Sequence, residues 1–283
     1  IRSCLVGSEM CIRDSLLGMA ISRLGKKGER ISGAFNALNE VVMEMVLILM
    51  RLAPYGVFCL LAKIFYTTGF SLIAQLIMYF LSVVLALFIH ALVVYPLLLK
   101  LFTGLSPLQF FKCIRPVMMF GFATASSNAT LPITLETAEE KLGIKNAIAS
   151  FTVPLGATLN MDGTAIMQGV ATVFIAQAFQ VDIGVSGYLM VIVTATLASI
   201  GAAGVPGVGL ITLALVLQQV GLPVEGIALI IGVDRLLDML RTAVNVTGDS
   251  AVSCIVASSE NALDRDIFCL LYTSPSPRDK TVS

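Results

Sequence analysis

The stretch 226–257, GIALIIGVDRLLDMLRTAVNVTGDSAVSCIVA, sets the terms for the whole chain. It is apolar enough to cross a bilayer and holds no proline, yet it carries Asp234, Arg235, Asp238, Arg241, Asn245 and Asp249. On a helix advancing about 100° per residue, positions 234, 238, 241, 245 and 249 fall in one narrow stripe. A charge near the middle of a membrane helix costs about 2.5–3.5 kcal/mol, whereas each Leu or Ile returns only about 0.3–0.6 kcal/mol. The stripe therefore requires partners: protein groups, a water-filled cavity, an ion or a polar ligand. Neutralisation of Asp234 by Arg235 and of Asp238 by Arg241 is the plainest arrangement, but it leaves Asn245 and Asp249 without a cation.

The rest of the composition fits a bilayer. The chain is 57% hydrophobic and 13% charged, with a mean hydropathy of +0.92, no Trp and one His. A soluble domain carries about 25% charged residues, so this is an integral membrane protein, and the apolar segments described next make it an all-α polytopic one by expectation. Net charge is zero and no basic run suits nucleic acid, which removes that class of partner. The six cysteines lack the spacing of a zinc site or a disulfide framework. Two end segments, CLVGSEMCIRDS at 4–15 and CLLYTSPSPRD at 269–279, resemble translated sequencing-adapter readthrough. Residues 1–15 and most of the tail 261–283 are set aside on that ground, and the natural protein is expected to extend further at its N-terminus.

Between those ends the chain reads as spans and interruptions. Residues 16–22 resemble the end of a membrane segment, followed by Arg23, Lys26, Lys27 and Arg30, a patch that marks the cytoplasmic side. Residues 34–66 form a hydrophobic helix with Glu40 and Glu44 near its start and a kink at Pro54, leaving the membrane near 67–71. Residues 72–102 return, and Lys100, Lys112 and Arg115 again suit the cytoplasm. Residues 107–143 carry two apolar arms around SSNATLP, each too short for the ~20 residues of a spanning helix. They read as a re-entrant hairpin, whose tip survives at membrane depth only if buried in protein or lining a cavity. The segment 146–180 is interrupted by Asn160, Met161, Asp162, Gly163 and Thr164, which free carbonyl oxygens beside a carboxylate, a donor set for a hard cation. A second hairpin, 186–221, turns at ASIGAAGVPGVG, and the striped helix follows. Hairpin plus broken helix thus occurs twice, as in transporters built from inverted repeats.

SSNATLP, PLGATLNMDGTA, ASIGAAGVPGVG and DRLLDMLRTAVNVTGD, in this order, resemble the dicarboxylate/amino acid:cation symporter family, the glutamate transporter homologues. The resemblance covers about residues 16–260. It implies the glutamate-transporter-homologue fold with inverted repeats and two re-entrant hairpins, working as a homotrimeric elevator in the plasma (inner) membrane. Residues 16–71 would be the remnant of the scaffold domain that trimerises, and 72–260 the transport domain. No prosthetic group is implied; Na⁺, or H⁺ in some relatives, would be the coupling ion.

The same resemblance implies roles for individual residues. Arg241 would grip the substrate's side-chain carboxylate, helped by Thr164. Asp238 and Thr242 would hold its amino group, while Asn245, Ser127 and Asn128 face its main-chain carboxylate. Val205 and Gly209 would close the second hairpin as a gate. Cations would meet carbonyls of Gly156, Thr158, Asn160 and Met161, the side chains of Asp162, Asn245 and Asp249, and second-hairpin carbonyls of Ser199, Ile200 and Ala202. Some relatives place an Arg before the hairpin serines where this chain has Ala125, and Arg235 is the residue expected to fill that space. The chemistry of the residues agrees: an Arg fork suits a carboxylate, and an Asp one turn away suits an ammonium. Glutamate or aspartate is the expected substrate class. Neutral amino acids, C4-dicarboxylates and proton coupling are the alternatives within the family. Outside it stand a channel and an intramembrane serine protease with Ser186 in the GVSG turn and His90 as its base, although that His precedes the Ser.

Overall fold

A backbone surrounded by apolar side chains must satisfy its N–H and C=O groups internally, and in lipid a lone segment does so only as helix. The computed structural model describes residues 16–35, 37–38, 41, 44–45, 48, 55, 58–59, 62, 71–200 and 202–270. Glu40, Pro54 and the turn expected near 67–70 lie outside the described residues, as do the adapter-like 1–15 and 271–283. Every named element is helical, and among the described residues the one strand-like feature is an isolated antiparallel bridge between Ile144 and Leu263.

Helix α1 (Ser71–Ile89), a π-helical turn (His90–Val94) and α2 (Tyr95–Thr103) form one continuous rod. From Ala74 to Thr103 it has 30 residues, with an 18-residue window of mean hydropathy 2.6, and among the described residues it is the one helix that passes as a membrane span by length and composition. Tyr79, Val83, Leu87 and Ala91 are buried at helical spacing, while Ile77, Leu81, Leu85, Phe88 and Leu92 are exposed, an outer face suited to acyl chains.

The first expected hairpin is α3 (Pro107–Thr124) and α4 (Ser127–Glu140). Ala125, in the left-handed region at φ 52°, and extended Ser126 make the turn between them. The broken segment is α5 (Asn146–Leu159) and α6 (Asp162–Ala178), with Asn160 and Met161 non-helical where the sequence is interrupted. The second hairpin is α7 (Gly184–Ser199) and α8 (Val208–Gln219). A 3-10 turn at Val224–Gly226 leads into α9 (Ile227–Ser259), the striped helix, and α10 (Arg265–Leu270) ends the described chain.

Helix α9 belongs to two apolar cores at once. Its first half contributes Ile230, Leu237 and Val244 to a core with Tyr79, Met167 and Leu213. Its second half contributes Ala251, Cys254 and Ala257 to a core with Leu99, Phe110 and Val153. The polar stripe therefore runs where the two cores meet. At one end the chain is clasped: the Lys145 N–H donates to the Ala262 carbonyl at 3.0 Å and the Asp264 N–H to the Gly143 carbonyl at 2.7 Å. Arg265 Nη2 donates to the Thr103 carbonyl at 2.8 Å, and Phe268 is buried. Residues 262–268 are thus tied to the bundle through Ala262, Asp264, Arg265 and Phe268.

Candidate functional site

The stripe on α9 faces inward along its length: Asp234, Asp238, Arg241, Asn245 and Asp249 are all buried, and Arg241 is only 1% exposed. Its charges do not pair as neighbours in sequence. Arg241 Nη2 donates to Asp238 Oδ1 at 2.6 Å, and Arg241 Nη1 lies 3.7 Å from Asp234 Oδ1, so one guanidinium sits between two carboxylates. Arg235 is exposed on another side of the helix. Successive helical residues differ by about 100° in direction, so Arg235 leaves α9 on another side from Asp234, and among the described residues it makes no hydrogen bond to the first hairpin. Arg241 Nε and Nη1 are buried without a hydrogen-bond partner, as is Asp234 Oδ1.

The second hairpin's turn closes on this guanidinium, and the first hairpin's turn bonds to the second. A Cβ at Gly209, the second residue of α8, would collide with the Arg241 guanidinium. The Gly207 N–H donates to Asp238 Oδ2 at 2.9 Å, so both Asp238 oxygens are engaged. Across the site, Ser126 Oγ accepts from the Ala129 N–H at 3.2 Å, capping α4, and donates to the Gly204 carbonyl at 2.7 Å. The Asn128 N–H reaches that same carbonyl at 3.2 Å, and Gly204 has no room for a side chain beside Asn128 Oδ1. Ser127 and Thr242 are buried, while Asn128 is exposed and Val205 is half-buried in the second turn. Asn245 Oδ1 accepts from the Gly163 N–H at 2.8 Å, and its Nδ2 approaches Thr164 Oγ1 at 3.4 Å. The break in α5–α6 is thereby tied to the stripe.

A second polar cluster lies one turn further along α9. Asn160 Nδ2 donates to Asp249 Oδ1 at 3.1 Å, and a Cβ at Gly156 would meet the Asp249 carboxylate at 2.7 Å. Asp162, the first residue of α6, accepts at Oδ2 from the Tyr95 hydroxyl at 2.9 Å, with His90 Nε2 3.0 Å from the same oxygen. Gly156, Asn160, Asp162, Asn245 and Asp249 are thus brought to one region. Thr158 is half-buried and its hydroxyl donates to the Leu155 carbonyl at 3.0 Å. The Met161 carbonyl accepts from the Thr164 and Ala165 N–H groups. Ser199, Ile200 and Ala202 lie at the end of α7, where the Ala202 N–H donates to the Ser199 carbonyl at 3.2 Å. Ile200 is exposed, and among the described residues no hydrogen bond joins these three to the α5–α6 break. The oxygen-rich, acidic character of the Asn160–Asp162–Asp249 cluster fits a hard monovalent or divalent cation in chemistry.

Residues 13–259 match the sodium:dicarboxylate symporter family. The chain belongs to that family. Human excitatory amino acid transporter 2 is 43% identical over 241 residues, which are 84% of this chain and 42% of that protein. Rabbit (Oryctolagus cuniculus) excitatory amino acid transporter 3 is 42% identical over 242 residues, 85% of this chain and 46% of the relative. Rat (Rattus norvegicus) excitatory amino acid transporter 1 is 41% identical over 267 residues, 93% and 48% respectively. This member of the symporter family spans less than half the length of each of these relatives.

Sequence reasoning missed three features of the site. Asp234 shares Arg241 with Asp238, a contact concealed because Arg235 is the nearer cation in sequence. The Gly207 backbone joins the site although a backbone N–H carries no sequence signature. His90 and Tyr95 converge on Asp162, and the signal was a lone His in an otherwise apolar segment. The protease reading falls to membership of a symporter family, and Ser186, exposed at the start of α7, makes no hydrogen bond to His90.

Proposed function

We propose that the full-length protein is a secondary active transporter that moves acidic amino acids, L-glutamate or L-aspartate, with Na⁺ across the plasma (inner) membrane. The observation that carries the substrate class is Arg241: a guanidinium buried to 1% exposure, with Nε and Nη1 without a hydrogen bond, beside two carboxylates and under the second hairpin's turn. Buried donors without partners are costly, and a planar fork is matched by a carboxylate. Asp234 and Asp238 exceed Arg241 by one formal negative charge, which suits a ligand that also carries an ammonium. Family membership and the names of the relatives support the same class.

In this reading Arg241 and Thr164 take the side-chain carboxylate, Asp238 and Thr242 the ammonium, and Asn245, Ser127 and Asn128 the main-chain carboxylate. The Gly207 N–H must release Asp238 Oδ2 for the ammonium, so the second turn, with Val205 and Gly209, moves when substrate enters. Na⁺ is taken as co-substrate by Asp162, Asn245 and Asp249 with carbonyls of Gly156, Thr158, Asn160 and Met161, and by Ser199, Ile200 and Ala202 once that turn closes. Both hairpins are re-entrant within an inverted-repeat fold. Residues 72–260 form the moving transport domain, 16–71 belong to a scaffold, and three copies assemble as an elevator in the bilayer.

The test is uptake of labelled L-aspartate and L-glutamate by the full-length protein in proteoliposomes, with inward Na⁺ and pH gradients imposed separately. Accumulation driven by Na⁺ is expected. Uptake driven by pH alone moves the coupling to protons. Transport of neutral amino acids or C4-dicarboxylates in place of both overturns the role given to Arg241 and Asp238.

A further inference from the structure

The rod from α1 to α2 changes its winding once, at His90–Val94, where the Tyr95 N–H bonds to the His90 carbonyl and closes a five-residue turn. Residues five apart on an α-helix point roughly 140° away from each other. The wider π-turn brings such a pair round to nearly the same side, and such turns occur frequently at functional sites. Here His90 and Tyr95 stand together, ring centroids 4.6 Å apart at 71°. Both reach one atom, Asp162 Oδ2, at 3.0 Å from His90 Nε2 and 2.9 Å from the Tyr95 hydroxyl. With Asp162 ionised, the imidazole must carry its proton on Nε2 to donate.

The surroundings leave this arrangement little freedom. Tyr95 is buried, and its hydroxyl and Asn160 Nδ2 occupy the space where a Cβ on Gly248 would fall. Asn160 Nδ2 in turn donates to Asp249. Asp162 Oδ1 carries no hydrogen bond among the described residues.

We propose that the π-turn is a clamp for the cation site, with His90 and Tyr95 as positioning residues that hold Asp162 Oδ2 and reserve Oδ1 for the cation. The proposal rests on the reading of Asp162 as a cation ligand given above. A carboxylate already fixed by two donors is not ordered anew when the ion arrives, so the clamp strengthens cation binding by preorganisation. It does not touch the amino acid, so it leaves substrate affinity at saturating cation unchanged. The interruption of the rod thereby serves the ion rather than the span.

The experiment is a Na⁺ titration of the full-length protein in detergent without substrate, by calorimetry and by Na⁺-dependent thermal stabilisation. It is followed by substrate affinity at saturating Na⁺. Tyr95→Phe, which removes the hydroxyl and keeps the ring, is expected to raise the Na⁺ half-saturation about three- to tenfold. His90→Leu is expected to do the same, and His90→Gln, which keeps a donor, to restore most of the loss. Substrate affinity at saturating Na⁺ stays at the parent value in each. Unchanged Na⁺ titrations in both Tyr95→Phe and His90→Leu overturn the clamp, as does an equal loss of Na⁺ and substrate affinity, which marks a merely structural role. Asp162→Asn separates the two readings: if it weakens Na⁺ binding while the clamp variants do not, the clamp alone fails. If it has no effect, the cation-site reading fails with it.

Discussion

Arg241 is the residue on which the charge balance of the stripe turns, and the one proposed to recognise the substrate. Its guanidinium is held by Asp238 at 2.6 Å and faces Asp234 at 3.7 Å, and two of its buried donors make no hydrogen bond. Truncating one member of a buried, hydrogen-bonded charge pair costs about 2–5 kcal/mol, so Arg241→Ala is expected to weaken acidic amino acid binding roughly 30-fold or more. Small neutral amino acids, which need no fork, are expected to retain uptake, and competition of labelled substrate by unlabelled glutamate and serine measures the difference. Arg241→Lys is not a rescue, because an ammonium cannot present two parallel donors. Asp249, touching Asn160 and packed on Gly156, is the proposed cation ligand. Asp249→Asn removes a full charge at nearly constant shape and is expected to raise the Na⁺ half-saturation about tenfold, equivalent to about 1.4 kcal/mol. A Na⁺ titration identical to the parent removes Asp249 from the cation set.

At the scale of elements, each helical interruption makes a contact that a continuous helix could not. The α3–α4 turn puts Ser126 where one hydroxyl caps α4 and also bonds the Gly204 carbonyl of the opposite turn. The α7–α8 turn lays Gly207 and Gly209 over Asp238 and Arg241. Gly209→Ala adds a methyl where the guanidinium lies, so either the turn lifts or the Arg shifts. The expected result is a loss of acidic substrate affinity of about tenfold, with Na⁺ binding in the absence of substrate little changed; equal substrate affinity in calorimetry contradicts the packing of that turn on Arg241. The interruption between α5 and α6 exposes the Gly163 N–H to Asn245, tying the break to α9. The π-turn is the fourth such device, and its tyrosine and histidine variants test it at the ion rather than the substrate.

For the whole molecule, α9 is shared by two cores, and the clasp between 143–145 and 262–265 locks one end of the bundle. Gly143 adopts φ +71°, and a Cβ there would collide with the Asp264 carbonyl. Gly143→Ala is expected to destabilise the protein by about 1–3 kcal/mol, seen as a lower melting temperature in detergent with the Na⁺ titration unaltered. An unchanged melting temperature removes the clasp from the stabilising contacts. Much of this was legible in the sequence: helicity follows from an apolar chain that must bond its own backbone. The breaks follow from Gly, Pro and Asn where helix is weakest. The functional face follows from charges spaced three and four apart in an apolar run. Those are local properties, written at fixed spacing along one segment. The partners were decided only by the tertiary structure, because they join residues far apart in the chain through contacts of a few ångströms. Arg241 between Asp234 and Asp238, Gly204 shared by Ser126 and Asn128, and Asp162 held by a π-turn some seventy residues earlier depend on how α1, both hairpins and α9 pack. A one-residue change of helical register would redirect each of these side chains by about 100°, which spacing along a single segment cannot detect.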